Sequence, residues 1–117
     1  MWSSVCDVLD VPSNGGACVK IGDKQIAIFH FSDQQSWYAV DNLCPHSQQM
    51  VLSRGLLGET GGLPKITCPL HKQSFCLTDG HHLGGQAEFK LQTYPIKVDA
   101  VKVYLNLTPQ DVTYDDS

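Results

Sequence analysis

The stretch ACVKIGDKQIAIFHF, residues 17–31, indicates the class of fold to which this chain belongs. Apolar and β-branched side chains recur on both sides of Gly22-Asp23, and this pair suits a two-residue turn with a positive φ at Gly22. The stretch therefore predicts a β-hairpin, with one strand over residues 17–21 and the other over residues 25–31.

Short strand patterns continue along the rest of the chain. They cover residues 37–40, 65–68, 74–77, 94–98 and 101–107, and the last two flank Asp99-Ala100 as a second hairpin. Residues 47–57 have room for a turn or a short helix before Gly58. No segment of ten or more residues has the helical spacing of apolar positions. The patterns predict an all-β domain, built as a small sandwich or barrel.

Composition restricts the chain to one small domain. Its 117 residues carry a net charge of −4 and eight scattered basic side chains, so we expect no nucleic-acid partner. Apolar runs of at most four residues are too short to cross a bilayer, so we expect no membrane association. The first residues lack the features of a signal peptide, which favours the cytoplasm. We predict a single domain over residues 1–107 and an acidic, flexible tail over residues 108–117.

Two short motifs each place a thiol and an imidazole within one turn: Cys44-Pro45-His46 and Cys68-Pro69-Leu70-His71. The proline restricts the backbone of each turn, so both side chains can be directed at one metal. A lone Cys or His is more often a core or surface residue, but two such pairs in one small chain favour a metal centre.

The mixed composition of each pair bears on the identity of the metal. Structural zinc sites usually pair like ligands along the chain, whereas each pair here joins a Cys to a His. A Rieske 2Fe-2S cluster has two Cys on one iron and two His on the other, which a mixed pair from each of two loops can supply. The spacing favours this cluster, and zinc stays the alternative.

The residues around these motifs extend the pattern. Residues 71–80, HKQSFCLTDG, and residues 51–56, VLSRGL, together with the two motifs, resemble the Rieske family and in particular the small subunit of NAD(P)H-dependent nitrite reductase. The resemblance runs from about Trp2 to Leu107. It implies a Rieske-type fold, in which a β-sandwich base carries an inserted cluster-binding subdomain over about residues 42–77.

The resemblance also implies a site, a partner and a function. Cys44 and Cys68 would bind the inner iron of the Rieske 2Fe-2S cluster, and His46 and His71 would bind the outer iron through Nδ1. The chain would be the non-catalytic electron-transfer subunit of an oxidoreductase of nitrate assimilation. Its partner would be a large subunit with FAD, a 4Fe-4S cluster and sirohaem, which reduces nitrite to ammonium.

Two departures from the wider Rieske pattern carry information. Gln73 and Phe75 stand where respiratory Rieske proteins place Ser and Tyr, and no loop cysteines are present for a bracing disulfide. Fewer hydroxyl donors predict a reduction potential near the low end of the Rieske range, about −150 mV. The 21 residues between His46 and Cys68 are several more than in typical Rieske ferredoxins, and the glycine-rich stretch 55–63 predicts a surface loop.

The remaining cysteines and histidines receive structural interpretations. We expect Cys76 to be a core thiol, Cys6 and Cys18 to be strand residues, and His81 and His82 to form an exposed pair in a turn. Two other functions stay open: a Rieske ferredoxin of a ring-hydroxylating oxygenase, and a docking module with zinc or no metal. Neither is excluded by the residues themselves.

Overall fold

The computed structural model describes residues 2–32, 35–70, 72–86 and 89–107. Strands and two single-turn 3₁₀ helices make up the regular structure of these residues, and no α-helix occurs among them. The strands are β1 (Trp2–Asp7), β2 (Gly15–Ile21), β3 (Lys24–Phe31), β4 (Ser36–Asp41), β5 (Leu56–Thr60), β6 (Leu63–Thr67), β7 (Ser74–Cys76), β8 (Thr93–Tyr94), β9 (Ile96–Val98) and β10 (Lys102–Asn106). The 3₁₀ helices span Val8–Asp10 and Leu52–Arg54.

The strands form three antiparallel sheets. The first has the order β1-β10-β9, the second β2-β3-β4-β8 and the third β5-β6-β7. Between the first two sheets lies a core whose largest fully buried members are Ile26, Ile28, Val103 and Leu105. Two sheets that pack around one core make a sandwich, so the predicted all-β class and the predicted sandwich base are confirmed.

The central strand β3 serves two cores at once. Ile26 and Ile28 face the core of the sandwich, whereas Ala27 and Phe29 face a second core. Successive side chains of a strand point to opposite faces, so an apolar run is what a strand buried on both faces requires. The apolar run at residues 26–29 thus has the core of the sandwich on one side and the second core, which the third sheet also lines, on the other.

The predicted first hairpin is confirmed. Ile21 pairs with Lys24, which leaves a two-residue turn, and Gly22 has φ 60°. β4 then continues the sheet on the other side of β3, with Ile28 opposite Ala39. β3 and β4, neighbouring strands of one sheet, therefore form one side of the second core.

The prediction of a surface loop over residues 55–63 is wrong. Residues 56–60 form β5, which pairs with β6 from Leu56↔Thr67 to Thr60↔Leu63. Gly61 and Gly62 have φ values of 57° and 83°, which suits a two-residue hairpin turn. Leu57 packs against the second core, so the glycine-rich stretch is a hairpin with one inward face.

The predicted strand over residues 94–98 is two strands in two different sheets. Tyr94 pairs with Ala39 in the second sheet, whereas Ile96 pairs with Leu105 in the first. Pro95 lies between them and has no N–H to donate to a ladder. The chain changes sheets at this proline, and only β9 and β10 form the predicted second hairpin.

The third sheet lies within residues 42–77, where the insert is expected. Beyond it, Leu83 N–H donates to Ser74 O and Cys76 N–H donates to His81 O, so residues 81–83 add to the edge of β7. No helix in the described part of the chain is long and apolar enough to span a bilayer. The predicted tail, residues 108–117, lies outside the described residues.

Candidate metal centre

The first motif lies in a tightly closed loop. Cys44 N–H donates to Gln49 O at 2.9 Å, and Gln48 N–H donates back to Cys44 O at 2.8 Å. Gln48 takes the left-handed conformation, with φ 60°, and its side-chain amide donates to Pro45 O at 2.8 Å. These bonds fix the turn that presents Cys44 and His46.

The second motif lies in a loop with the same backbone pattern. Cys68 N–H donates to Gln73 O at 2.8 Å, and Lys72 N–H donates to Cys68 O at 3.0 Å. Lys72, like Gln48, is the fourth residue after its cysteine and has φ 59°. His71 lies outside the described residues, so the structure does not place its ring. Two separate segments of the chain thus share one pattern of backbone hydrogen bonds around a cysteine.

The fold brings the two loops together. Cys44 and Cys68 are both fully buried in the second core, and Ser47 Oγ of the first loop lies 3.9 Å from Cys68 Sγ of the second. His46 is half-buried, and its ring meets Phe89 edge-on at 5.2 Å between centroids. Of the four predicted site residues, three are therefore placed at one end of the second core.

The donor set fits an iron–sulfur cluster. Thiolates are soft ligands that suit iron–sulfur clusters, and imidazole suits iron as well. The two cysteines lie inside the apolar core, whereas His46 lies nearer to the surface. A site with a buried thiolate end and an outer imidazole end matches the asymmetry of Rieske ligation.

Asn42 anchors the first loop to the sandwich, and the sequence analysis did not find it. Its side chain is buried, accepts Ser53 N–H at 2.7 Å and donates to Gln25 Oε1 at 3.1 Å. Its backbone N–H donates to Gln25 O at 2.8 Å. A buried amide with its partners satisfied is a strong constraint on local geometry, because any displacement would break several bonds. The only signal in the sequence was its position two residues before Cys44.

The expectation of an exposed His81–His82 pair is half wrong. His81 is exposed, but His82 is buried, with 7% of its surface exposed. Its Nε2 lies 2.6 Å from Oε1 of Gln73, the residue that accepts the Cys68 N–H. Pairing of residues 81–83 with β7 turns alternate side chains to opposite faces, which separates the two rings.

Cys76 is a core thiol, as expected. It is 1% exposed, and its Sγ lies near side-chain atoms of Asp79 and His81. The Asp79 carboxylate, however, already accepts the backbone N–H of His81 at 3.1 Å and contacts its Nδ1 at 2.5 Å. The His81 side chain is the main cause that lowers the pKa of Asp79. These contacts between Asp79 and His81 are hydrogen bonds within the turn that follows β7.

Cys6 and Cys18 lie on β1 and β2, as expected of strand cysteines. Burial, followed by the charges of Asp10 and Asp7, raises the pKa of Cys6, and burial raises the pKa of Cys18. A raised pKa keeps a thiol protonated and unreactive. No disulfide joins any of the five cysteines, all of which are described.

Comparisons with known proteins agree with this geometry. The family model of the Rieske-like [2Fe-2S] domain matches residues 1–106. The chain belongs to this family. Its membership confirms the predicted Rieske-type fold and the predicted class of cofactor, a Rieske 2Fe-2S cluster.

Curated relatives and a solved structure name the same branch of the family. The chain is 43% identical over 104 residues to a nitrite reductase [NAD(P)H] large subunit of Klebsiella oxytoca, covering 89% of this chain but only 11% of that protein. It is 34% identical over 97 residues to the nitrite reductase (NADH) small subunit of Escherichia coli K12, covering 83% of this chain and 89% of the relative. The structure of a putative small subunit of NADH-dependent nitrite reductase from Mycobacterium tuberculosis aligns with a TM-score of 0.81 at 30% identity, over 92% of this chain and 96% of the other.

A ferredoxin is also similar to this chain. The 3-phenylpropionate/cinnamic acid dioxygenase ferredoxin subunit of Photorhabdus laumondii is 33% identical over 106 residues, covering 91% of this chain and 94% of the relative. The nitrite reductase relatives support the predicted function better, because the Klebsiella protein shares 43% identity and the Escherichia coli small subunit 34%, against 33% for the ferredoxin. The chain spans about a ninth of the large-subunit relative. The activity of that whole protein is therefore not a property of this chain alone.

Proposed function

We propose that this chain is the electron-transfer subunit of an NAD(P)H-dependent nitrite reductase. One observation carries the proposal: two loops with the same backbone hydrogen-bond pattern meet at the buried thiols of Cys44 and Cys68. In this proposal Cys44 and Cys68 hold the inner iron, and His46 and His71 hold the outer iron. When bound, the cluster supplies a carrier for one electron at a time.

Burial supports different roles for the proposed thiolate and imidazole ligands. The thiol ends lie in the second core among Phe75, Leu52 and Ile66, which excludes water from the inner side of the site. His46 is half-buried at the outer side, where a partner can approach within tunnelling distance. The surroundings of the inner ligands tune the potential, because the polarity around a cluster controls the stability of its reduced form.

The environment of the second loop supports a low potential. Gln73 faces His82 rather than presenting a hydroxyl, and Phe75 is fully buried and apolar. Ser47 Oγ, 3.9 Å from Cys68 Sγ, is one hydroxyl close to a proposed ligand, and a hydrogen bond from it would raise the potential. Because Gln73 and Phe75 supply no hydroxyl, the expected potential lies at the low end of the Rieske range, about −150 mV.

The partner in this proposal is a nitrite reductase large subunit with FAD, a 4Fe-4S cluster and sirohaem. Met50 and Leu70 are exposed apolar side chains, and each lies in or beside one of the two ligand loops. An apolar rim around the imidazole end suits a transient contact with a protein. The insert over about residues 42–77, on a base that completes the domain over residues 1–107, would carry this rim. Reduced thiols fit the cytoplasm as the location of the complex.

The test is reconstitution with a large subunit. The large subunit encoded in the same genome is purified and assayed for NAD(P)H-dependent formation of ammonium from nitrite, with and without this chain. Wild-type chain should raise the rate, and Cys68→Ser should bind the partner but fail to raise it, because serine oxygen is a poor substitute for a thiolate. Equal rates with the two chains would overturn the proposal.

The same preparation tests the ferredoxin alternative, which the Photorhabdus relative favours. In that case, the reduced chain should pass electrons to a ring-hydroxylating oxygenase and have no effect on nitrite reduction. A docking module would give a third result: the Cys68→Ser chain would raise the rate of ammonium formation as the wild-type chain does.

A further inference from the structure

His82 is a buried imidazole with both ring nitrogens engaged. Nδ1 accepts the backbone N–H of Gln86 at 3.2 Å, so this nitrogen carries no proton. The proton is therefore on Nε2, which donates to Oε1 of Gln73 at 2.6 Å. Both bonds together define one neutral tautomer in one orientation.

The partner of this ring closes the second ligand loop. Gln73 O accepts the N–H of Cys68 at 2.8 Å. The side chain of Gln73 bonds to His82, and its backbone bonds to the cysteine, so Gln73 links the two residues. The ring itself has little room to turn, because a Cβ added at Gly84 would lie 2.5 Å from Cε1 of His82. Gly84 thus lets the backbone pack directly against the imidazole.

Phe89 extends the contact to the first ligand loop. Its ring meets His82 edge-on at 5.7 Å and His46 edge-on at 5.2 Å, with interplanar angles of 82° in both cases. Edge-to-face pairs at these distances are favourable. One phenyl ring therefore lies between the imidazole of a ligand in the first loop and the imidazole that supports the second.

We propose that His82 is a positioning residue that couples the two ligand loops: it donates to Gln73 on one side and packs through Phe89 against His46 on the other. This brace of Gln73, His82 and Phe89 takes the place of a covalent link, since no disulfide joins the cysteines of this chain. The inference deepens the proposed function, because the loops it couples are the proposed ligand loops.

Two substitutions isolate the hydrogen bond to Gln73. In His82→Gln, the side-chain amide nitrogen can reach the position of Nε2 and still donate. In His82→Asn, the shorter side chain can accept from Gln86 but cannot reach Gln73. Both variants are polar and remove the same ring, but each keeps a different one of the two bonds. His82→Gln keeps the donor to Gln73, and His82→Asn keeps the acceptor for Gln86, so the Cys68 amide, which Gln73 O accepts, reports on the bond to Gln73.

The first readout is amide hydrogen exchange of the apo protein, which does not depend on a cluster. His82→Asn should speed exchange of the Cys68 amide about tenfold relative to His82→Gln, as expected for the loss of one supporting hydrogen bond. The amides of β3 report on global opening and should exchange alike in both variants. Equal exchange at Cys68 in the two variants would overturn the inference.

The second readout is the loaded protein, followed through loss of cluster absorbance in the presence of an iron chelator. His82→Asn should lose the cluster about tenfold faster than His82→Gln and should broaden the EPR signal of the reduced cluster. A loaded wild type with two indistinguishable variants would leave the proposed function standing and refute the brace. A wild type that cannot be loaded would refute the proposed function, and the exchange experiment would still decide the brace.

Discussion

The two proposed ligand loops share one pattern of backbone hydrogen bonds, but different residues hold them in place. The first loop is held from the sandwich, where the buried side chain of Asn42 bonds to Ser53 and Gln25. The second loop is held from the edge of the third sheet, where Gln73 contacts His82. The closing turns are alike because each cysteine needs the same presentation, whereas the side chains differ because each loop has a different neighbour.

This difference predicts that the two loops contribute differently to the stability of the protein. The support of the first loop is part of the base, so its loss should weaken the whole fold. The support of the second loop is local, so its loss should loosen the site and leave the sandwich intact. The following substitutions separate these two effects.

The largest effect is expected for Asn42→Leu. It leaves Ser53 N–H and Gln25 Oε1 without their partner in a buried place, and should lower the free energy of unfolding by about 3 kcal/mol. Urea denaturation measures the loss. The control is Gln49→Leu, a change at an exposed side chain close by, which should shift stability by less than about 0.5 kcal/mol. Similar losses in both variants would contradict the role of Asn42.

Gly55→Ala should follow, because Gly55 packs between the 3₁₀ helix Leu52–Arg54 and the end of β6, which leads into the second loop. Its added Cβ would lie 2.4 Å from Thr67 O and 3.2 Å from Leu52 O, which are backbone atoms on either side of the junction. The overpacking should cost about 2 kcal/mol, measured by thermal or urea unfolding. Gly58→Ala, three residues further along the chain in β5, meets only the flexible Lys65 side chain and should be tolerated. Tolerance of both substitutions would show that the junction can relax.

The shared loop geometry predicts equal effects at Gln48 and Lys72. Valine in place of either should cost about 1–2 kcal/mol, because a β-branched side chain is strained at φ values of 60° and 59°. Glycine at either position should stay within about 1 kcal/mol of the wild type. The four variants are compared by their denaturation midpoints. A large penalty for valine in one loop and none in the other would disprove the equivalence of the loops.

The smallest effect on stability is expected at low pH, in the turn between β9 and β10. Backbone hydrogen bonds from Lys102 and Val101 lower the pKa of Asp99, so its contribution is complete above the pKa of the unfolded chain and is lost as pH falls through the lowered value. Asp99→Asn should therefore be less stable than wild type at about pH 6, and the gap should close by about pH 2. Thermal unfolding along this pH series measures it. A gap that stays constant would contradict the lowered pKa.

Local sequence patterns predicted the parts of the fold that depend on neighbours in the chain. The hairpin around Gly22 and the closeness of Cys44 and Cys68 required only alternation, turn residues and motif spacing. The β5–β6 hairpin was missed because one inward side chain, Leu57, is too weak a periodic signal among four glycines. Pro95 marks the change of sheet only once the partners of its neighbours are known.

The supports of the site depend on pairings between distant residues. Asn42 bonds to Gln25 across neighbouring strands, and His82 bonds to Gln73 through an edge that forms only when residues 81–83 add to β7. A lone Asn or His carries no pattern that distinguishes a buried support from a surface residue. For this reason the sequence analysis proposed candidate ligands but did not find the residues that support their loops.

The central claim is that the two loops bind one cluster with thiolates on one iron and imidazoles on the other. The most direct test is EPR of the dithionite-reduced, ¹⁵N-histidine-labelled protein, with iron and labile sulfide quantified in the same sample. The account predicts two irons and two sulfides per chain and magnetic coupling to two histidine nitrogens, as Rieske ligation requires. Zinc without sulfide, or a cluster with no coupled nitrogen, would contradict it.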